Sequence, residues 1–102
     1  MAIYVTSDAH GHVRALDEAL SKISLTSDDT LYVLGDMIDR GPDPVGVIKL
    51  VRSLPNARVL KGNHEQIMLD AIIGQDPLDA ETWDINGGWT TREQLNDMEF
   101  DA

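Results

Sequence analysis

Three short polar stretches of this sequence carry residues that could bind metal ions and move protons. The densest is Gly35-Asp36-Met37-Ile38-Asp39-Arg40-Gly41, which places two carboxylates and a guanidinium directly after the apolar run Leu31-Tyr32-Val33-Leu34. Charges at the end of a buried strand are costly unless a counter-charge offsets their desolvation. A metal ion or a bound phosphate would supply one. In Ser7-Asp8-Ala9-His10-Gly11-His12 the Asp8 and His10 side chains are one residue apart. On a strand-to-loop segment that spacing lets them point to the same side. A carboxylate and an imidazole together suit Mn, Fe or Zn better than Ca or Mg. Asp36 could bridge two such ions, and Asn63, within Lys61-Gly62-Asn63-His64-Glu65, would add a neutral amide oxygen. Two neighbouring ions form a clamp for in-line attack at phosphorus, lowering the pKa of a bound water and neutralising the ester oxygens.

Each residue taken singly has a plainer reading. Asp8 suits a helix cap or a turn, His10 or His64 a hydrogen-bonded surface imidazole, and Asn63 the turn that a Gly-Asn pair favours. His12 has no evident partner. Candidates in all three stretches at once favour a metal site over these separate readings.

The elements that must position these stretches repeat one plan three times. An apolar run ends in a polar, glycine-containing loop, and helical periodicity follows. The expected strands are residues 3–6, a second run ending at Leu34, and residues 57–60. The first helix should bury Leu16, Ala19, Leu20 and Ile23. The second should start with Asp43 as N-cap and Pro44 in its first turn, and bury Val47, Val51 and Leu54. The third should carry Met68, Leu69, Ile72 and Ile73 on one face and stop at Gly74. Strands alternating with helices over short connections imply right-handed βαβ units and a parallel sheet. All three polar loops then emerge at the carboxyl ends of the strands, where open α/β sheets bind ligands. Beyond Gly74 the pattern changes. A short helix is expected near residues 78–83, a turn at Asn86-Gly87-Gly88, and a last helix opened by the capping-box spacing of Thr90-Thr91-Arg92-Glu93.

Bulk properties narrow the class. The 102 residues suit one domain, divided here into an α/β core over residues 1–74 and an acidic helical and turn segment over 75–102. Hydrophobic content of 42% with 25% charged residues is ordinary for a soluble globular protein. No apolar run is long enough to span a bilayer, and the start lacks the pattern of a signal peptide. Without cysteine, any metal must be held by nitrogen and oxygen ligands. These features make the cytoplasm the expected compartment and a membrane partner unexpected. The net charge of −10 is uneven: residues 75–102 carry eight acidic side chains against the single basic Arg92. A net-acidic surface argues against nonspecific nucleic-acid binding, which relies on Lys and Arg. The acidic segment reads as a solvated face or a partner surface.

Asp8-x-His10-Gly11, Gly35-Asp36-x-x-Asp39-Arg40-Gly41 and Gly62-Asn63-His64-Glu65 resemble, in order, the first three motifs of the calcineurin-like metallophosphoesterases. The resemblance covers about residues 3–75. The Asp-Arg-Gly ending of the second motif and Glu65 in the third look like the serine/threonine phosphoprotein phosphatase branch, in particular its small bacterial members. The stretch from Trp83 to Thr91, with Asn86-Gly87-Gly88, is also similar to a segment that these bacterial enzymes carry. The resemblance implies that Asp8, His10 and Asp36 hold one metal, with Asp36 bridging to a second that Asn63 also binds; manganese is the expected ion, with iron or zinc as alternatives. It implies that His64 protonates the leaving oxygen while Asp39 orients its imidazole. Arg40, together with Asn63, would bind phosphate oxygens. Glu65 would support the loop or start the helix. The implied substrate is a phosphorylated protein or a small phosphoester.

The family's further metal-binding histidines lie in later motifs, on a second half of the fold. Here the only histidines are His10, His12 and His64, so the second metal site is expected to be incomplete. The expected architecture is the parallel βαβαβα half of the family's two-sheet α/β sandwich, an amino-terminal portion of a longer phosphatase. An all-parallel sheet normally needs both faces covered, so an exposed sheet face and self-association through it are expected. Two other readings stand beside phosphoprotein phosphatase: a dinucleoside polyphosphate hydrolase of the same superfamily, and an inactive remnant that only binds metal or a partner. Asp39 and Glu65 favour the phosphatase side.

Overall fold

The computed structural model describes residues 2–74 and 76–98. Eight elements follow in the order β1 (Ile3–Thr6), α1 (Val13–Ile23), β2 (Thr30–Val33), α2 (Pro44–Arg52), β3 (Ala57–Val59), α3 (Asn63–Ile73), α4 (Pro77–Ile85) and α5 (Trp89–Asp97). The three strands form one parallel sheet in the order β1-β2-β3, the expected α/β arrangement. The register pairs Tyr4 with Leu31 and Leu31 with Ala57. Because side chains alternate along a strand, these three lie on one face, and Ile3, Val5 and Arg58 on the other.

Helices α1 and α2 both cover the first face. Leu16 of α1 and Val47 and Val51 of α2 join Leu31, Val33, Met37 and Ile38 in a single buried cluster, with Tyr4, Leu20, Ala57 and Met68 packed against it. Two successive right-handed crossovers in the order β1-β2-β3 must place their helices on the same side. The opposite face is therefore open among the described residues, with Ile3 65% and Val5 61% exposed, the exposed apolar face expected above. On α1, Leu16 is buried and Leu20 and Ile23 are half-buried, but Ala19 is exposed.

The local chemistry explains the boundaries. Asp43 caps α2 by accepting from the Gly46 N–H at 2.9 Å, with Pro44 in the first turn. Gln94 of α5 ties this cap down, donating to Asp43 at 2.7 Å and accepting from the Val45 N–H at 2.8 Å. Asp29 closes the turn before β2, accepting from Ala2 N at 2.9 Å and Thr26 N at 3.0 Å. These donors outweigh a small desolvation and hold its carboxyl below the ordinary 3.8.

Three expectations need correction. Helix α3 starts at Asn63, so Asn63 and His64 stand in its first turn; Glu65 reaches back to the Gly62 N–H at 2.8 Å and closes the helix start. Ile72 and Ile73 near its end are exposed, so the expected apolar face is covered only over its first half. Helix α5 has Gly88 as its N-cap, with no side-chain cap bond. Thr90 and Thr91 lie inside its first turn and are buried; the Thr90 hydroxyl donates back to Gly87 O at 3.3 Å instead of capping, and the Thr91 hydroxyl bonds Asp39. Residues 75 and 99–102 of the expected acidic segment fall outside the described part of the chain.

Candidate metal centre

The loops after β1 and β2 are bound together by their backbones. Asp8 N donates to Gly35 O at 3.4 Å, His10 N to Asp36 O at 3.0 Å and Gly11 N to Met37 O at 2.9 Å. Glu65 ties in the third stretch, accepting from the N–H groups of Asp36 at 2.6 Å, Met37 at 3.0 Å and Gly62 at 2.8 Å. Gly35 is required where these segments cross: it has φ +95°, and a Cβ there would lie 2.2 Å from Gly62 N. Among the described residues six non-glycine positions have positive φ, and five are Asp8, His10, Asp36, Asp39 and Arg40. Such conformations cost about 1 kcal/mol or more each and persist where surroundings hold them, most often at functional sites.

This scaffold places ligand atoms of Asp8, His10 and Asp36 within 4.8 Å of one another. The His10 Nδ1 lies 2.8 Å from the Ile38 carbonyl oxygen. A carbonyl only accepts, so Nδ1 carries the proton and Nε2 keeps its lone pair. That nitrogen faces Asp8 Oδ1 at 4.0 Å, and the carbonyl contact fixes the ring as it does for metal-binding histidines. Burial by itself would raise the Asp36 carboxyl. Donation from the His64 N–H at 2.8 Å leads the local effects that outweigh it and hold the group below 3.8. Two carboxylates and one imidazole nitrogen within 4.8 Å of one another fit a divalent ion.

Beside the triad sits a second unit. His64 Nδ1 is 2.8 Å from Asp39 Oδ2, and the His10 and His64 rings meet edge to face at 4.6 Å between centroids. A carboxylate only accepts, so Nδ1 of His64 donates and its Nε2 is left free on the other side of the ring. Asp39 is fully buried, whereas Arg40 and Asn63 are exposed at the rim. The amino end of α3 points at this region and favours anions there. All the sequence candidates thus lie around one edge of the sheet: Asp8, His10 and Asp36 as a cluster, Asp39 with His64 as a bonded pair, Asn63 adjacent to His64 on α3, and Arg40 next to Asp39. His12 stays exposed and outside the cluster.

Two residues with no role in the sequence reading belong to this unit. Trp83 Nε1 donates to both Asp39 oxygens at 3.0 and 3.1 Å, and Thr91 Oγ1 donates to Asp39 Oδ1 at 2.7 Å. The only sequence signal for them was the similarity of the stretch around Asn86-Gly87-Gly88.

The sequence model of the family described as calcineurin-like phosphoesterase matches residues 1–100. The symmetrical bis(5'-nucleosyl)-tetraphosphatase of Pectobacterium carotovorum is 38% identical over 76 residues, 72% of this chain and 27% of that protein. Serine/threonine-protein phosphatase 1 of Salmonella typhimurium is 38% identical over 92 residues, 88% of this chain and 41% of that protein. A crystal structure carrying the provisional description of a diadenosine tetraphosphatase superposes with a TM-score of 0.57 at 33% identity, covering 76% of this chain and 36% of that one. The chain therefore spans between about a quarter and two fifths of the curated relatives it matches.

Proposed function

The chain belongs to the calcineurin-like phosphoesterase family, and from that premise we propose metal-dependent hydrolysis of phosphomonoesters, with phosphoserine or phosphothreonine in proteins as the substrate class. The observation that carries this reading is the Asp8–His10–Asp36 cluster standing directly against the Asp39–His64 pair. Asp8, His10 and Asp36 would hold one divalent ion, and Asp36 and Asn63 would contribute ligands to a second. Bound ions of this kind activate water and neutralise the oxygens of a phosphate ester. The remaining work falls to side chains. His64 acts as the imidazolium: its Nδ1–H stays directed to Asp39, and its Nε2–H passes to the leaving oxygen, which leaves the ring neutral. Arg40 offers its planar fork to two phosphate oxygens, and the Asn63 amide donates to a third. Manganese is the proposed ion. Asp36 and Asn63 alone leave a second ion short of ligands, so a complete second site needs donors beyond these residues.

The extent of the phosphatase match supports the protein substrate. A match covering 88% of the chain has to include most of α4 and the turn after it, the elements that contact Asp39 and Arg40. A match covering 72% does not. Dinucleoside polyphosphate hydrolysis is the second reading, favoured by the Pectobacterium relative and the structural neighbour. The test measures manganese-dependent turnover of a phosphopeptide against diadenosine tetraphosphate. Faster phosphopeptide turnover is expected; preference for the dinucleotide would select the second reading. No turnover of either by a folded, manganese-loaded sample would sink both in favour of a metal-binding remnant.

A further inference from the structure

A buried carboxylate needs donors for its lone pairs. Asp39 is 0% exposed, and His64 supplies one donor. The others come from α4 and α5. Trp83, 44 residues away in sequence, gives its indole N–H to both oxygens. Thr91 makes a reciprocal pair, accepting from the Asp39 N–H at 2.9 Å and donating to Oδ1 at 2.7 Å. Arg40 is held by the turn between the two helices: its N–H donates to Gly87 O at 2.9 Å and its Nε to Asn86 O at 3.4 Å. Gly87, at φ +89°, passes so close that a Cβ would sit 2.6 Å from Arg40 Cγ. Asp39 and Arg40 are consecutive residues at φ 73° and 69°, a conformation that needs outside support. Much of that support comes from α4, α5 and their turn.

We propose that Trp83 and Thr91 are positioning residues for the Asp39–His64 pair, with the Asn86-Gly87 turn positioning Arg40 beside it. The inference rests on the phosphoesterase reading, since it is the proton on His64 and the charge on Arg40 that need fixed places. Thr91 and Trp83 together hold the carboxylate so that Oδ2 stays aimed at His64 Nδ1. A hydrogen-bonded network with every member satisfied is rigid, and it loosens when one donor is removed. The plainer possibility is that both side chains merely fill space.

The experiment reads the hydrogen bond itself by NMR on the full 15N-labelled chain, without metal. Exchange of the His64 Nδ1 proton with water is measured against the amides of Leu31 and Val33, in wild type and in T91V, T91S and W83F. In T91V the His64 proton is expected to exchange about 10-fold faster or more, the change that losing a hydrogen bond to a charged group produces. W83F should show the same direction and T91S should return close to wild type, with the Leu31 and Val33 amides unchanged in all three. If T91V does not fold, W83F against wild type carries the comparison. Unchanged His64 exchange in the folded variants, or an acceleration that the Leu31 and Val33 amides share, would overturn the proposal, as would an unprotected His64 proton in wild type. With manganese and p-nitrophenyl phosphate, the same variants should lose kcat by about 10- to 100-fold with KM little changed, the cost of misplacing a catalytic group. A protected His64 proton without turnover in wild type would count against the phosphoesterase reading and leave the positioning role standing.

Discussion

Replacing Glu65 with Ala tests how the site is assembled. Its carboxylate receives three backbone N–H groups, from Asp36, Met37 and Gly62, all between 2.6 and 3.0 Å. Each hydrogen bond to a charged group contributes about 1.5–3 kcal/mol, so the simple sum is about 4.5–9 kcal/mol. Glu65 is only half-buried, and water entering the space left by the side chain recovers part of the loss for each amide. The expected net cost is about 3 kcal/mol, within the range for breaking a partly buried network and a substantial fraction of a small domain's stability. E65Q keeps one carbonyl oxygen as acceptor and should lose about half as much, since its amide end cannot accept from an N–H. Urea unfolding at neutral pH, followed by tryptophan fluorescence, gives both values. Hydrogen exchange at the Asp36, Met37 and Gly62 amides should accelerate together in E65A. A cost below about 0.5 kcal/mol, the size of an ordinary surface substitution, with those three amides still protected, would refute the assignment of Glu65 as the tie between the second and third loops.

Two further outcomes follow from the fold. Asp29 has a folded-state carboxyl below its ordinary 3.8 because Thr26 and Ala2 donate to it; the unfolded chain takes up that proton first, so the stabilisation is present above about pH 4 and is lost as pH falls through the folded value. D29N should lower stability at pH 7 and flatten the acid limb of a stability-against-pH curve, and an unchanged limb would contradict this. The bare sheet face around Ile3 and Val5 should promote self-association; light scattering is expected to show concentration-dependent mass that V5K reduces, whereas a wild-type monomer at all concentrations would contradict it.

Much of the scaffold was legible because its signals are local. β1 spans Ile3–Thr6 as its apolar run indicated, and Asp43 and Pro44 open α2 as a capping residue and a first-turn proline should. The convergence of Asp8, His10 and Asp36 followed from parallel topology, which sends all three loops to one edge. The contacts that complete the site were not legible. Trp83 and Thr91 reach Asp39 across 44 and 52 residues, and nothing in their neighbourhoods marks a tertiary hydrogen bond. The Thr90-x-x-Glu93 spacing was misleading because the helix already starts at Trp89 with Gly88 as its cap, which leaves Thr90 inside the first turn with its hydroxyl on Gly87 O. Glu65 was ambiguous in sequence because a third-position glutamate closes a helix start whether or not it also reaches a distant loop. It does both here.

The central claim is that Asp8, His10 and Asp36 form a metal site. Manganese titration of the full chain, followed by electron paramagnetic resonance of the free ion, tests it most directly. The wild type is expected to take up manganese with loss of the free-ion signal, and D36N, with its circular dichroism unchanged, is expected to lose that uptake. Equal uptake by wild type and D36N, or none by a folded wild type, would contradict the assignment.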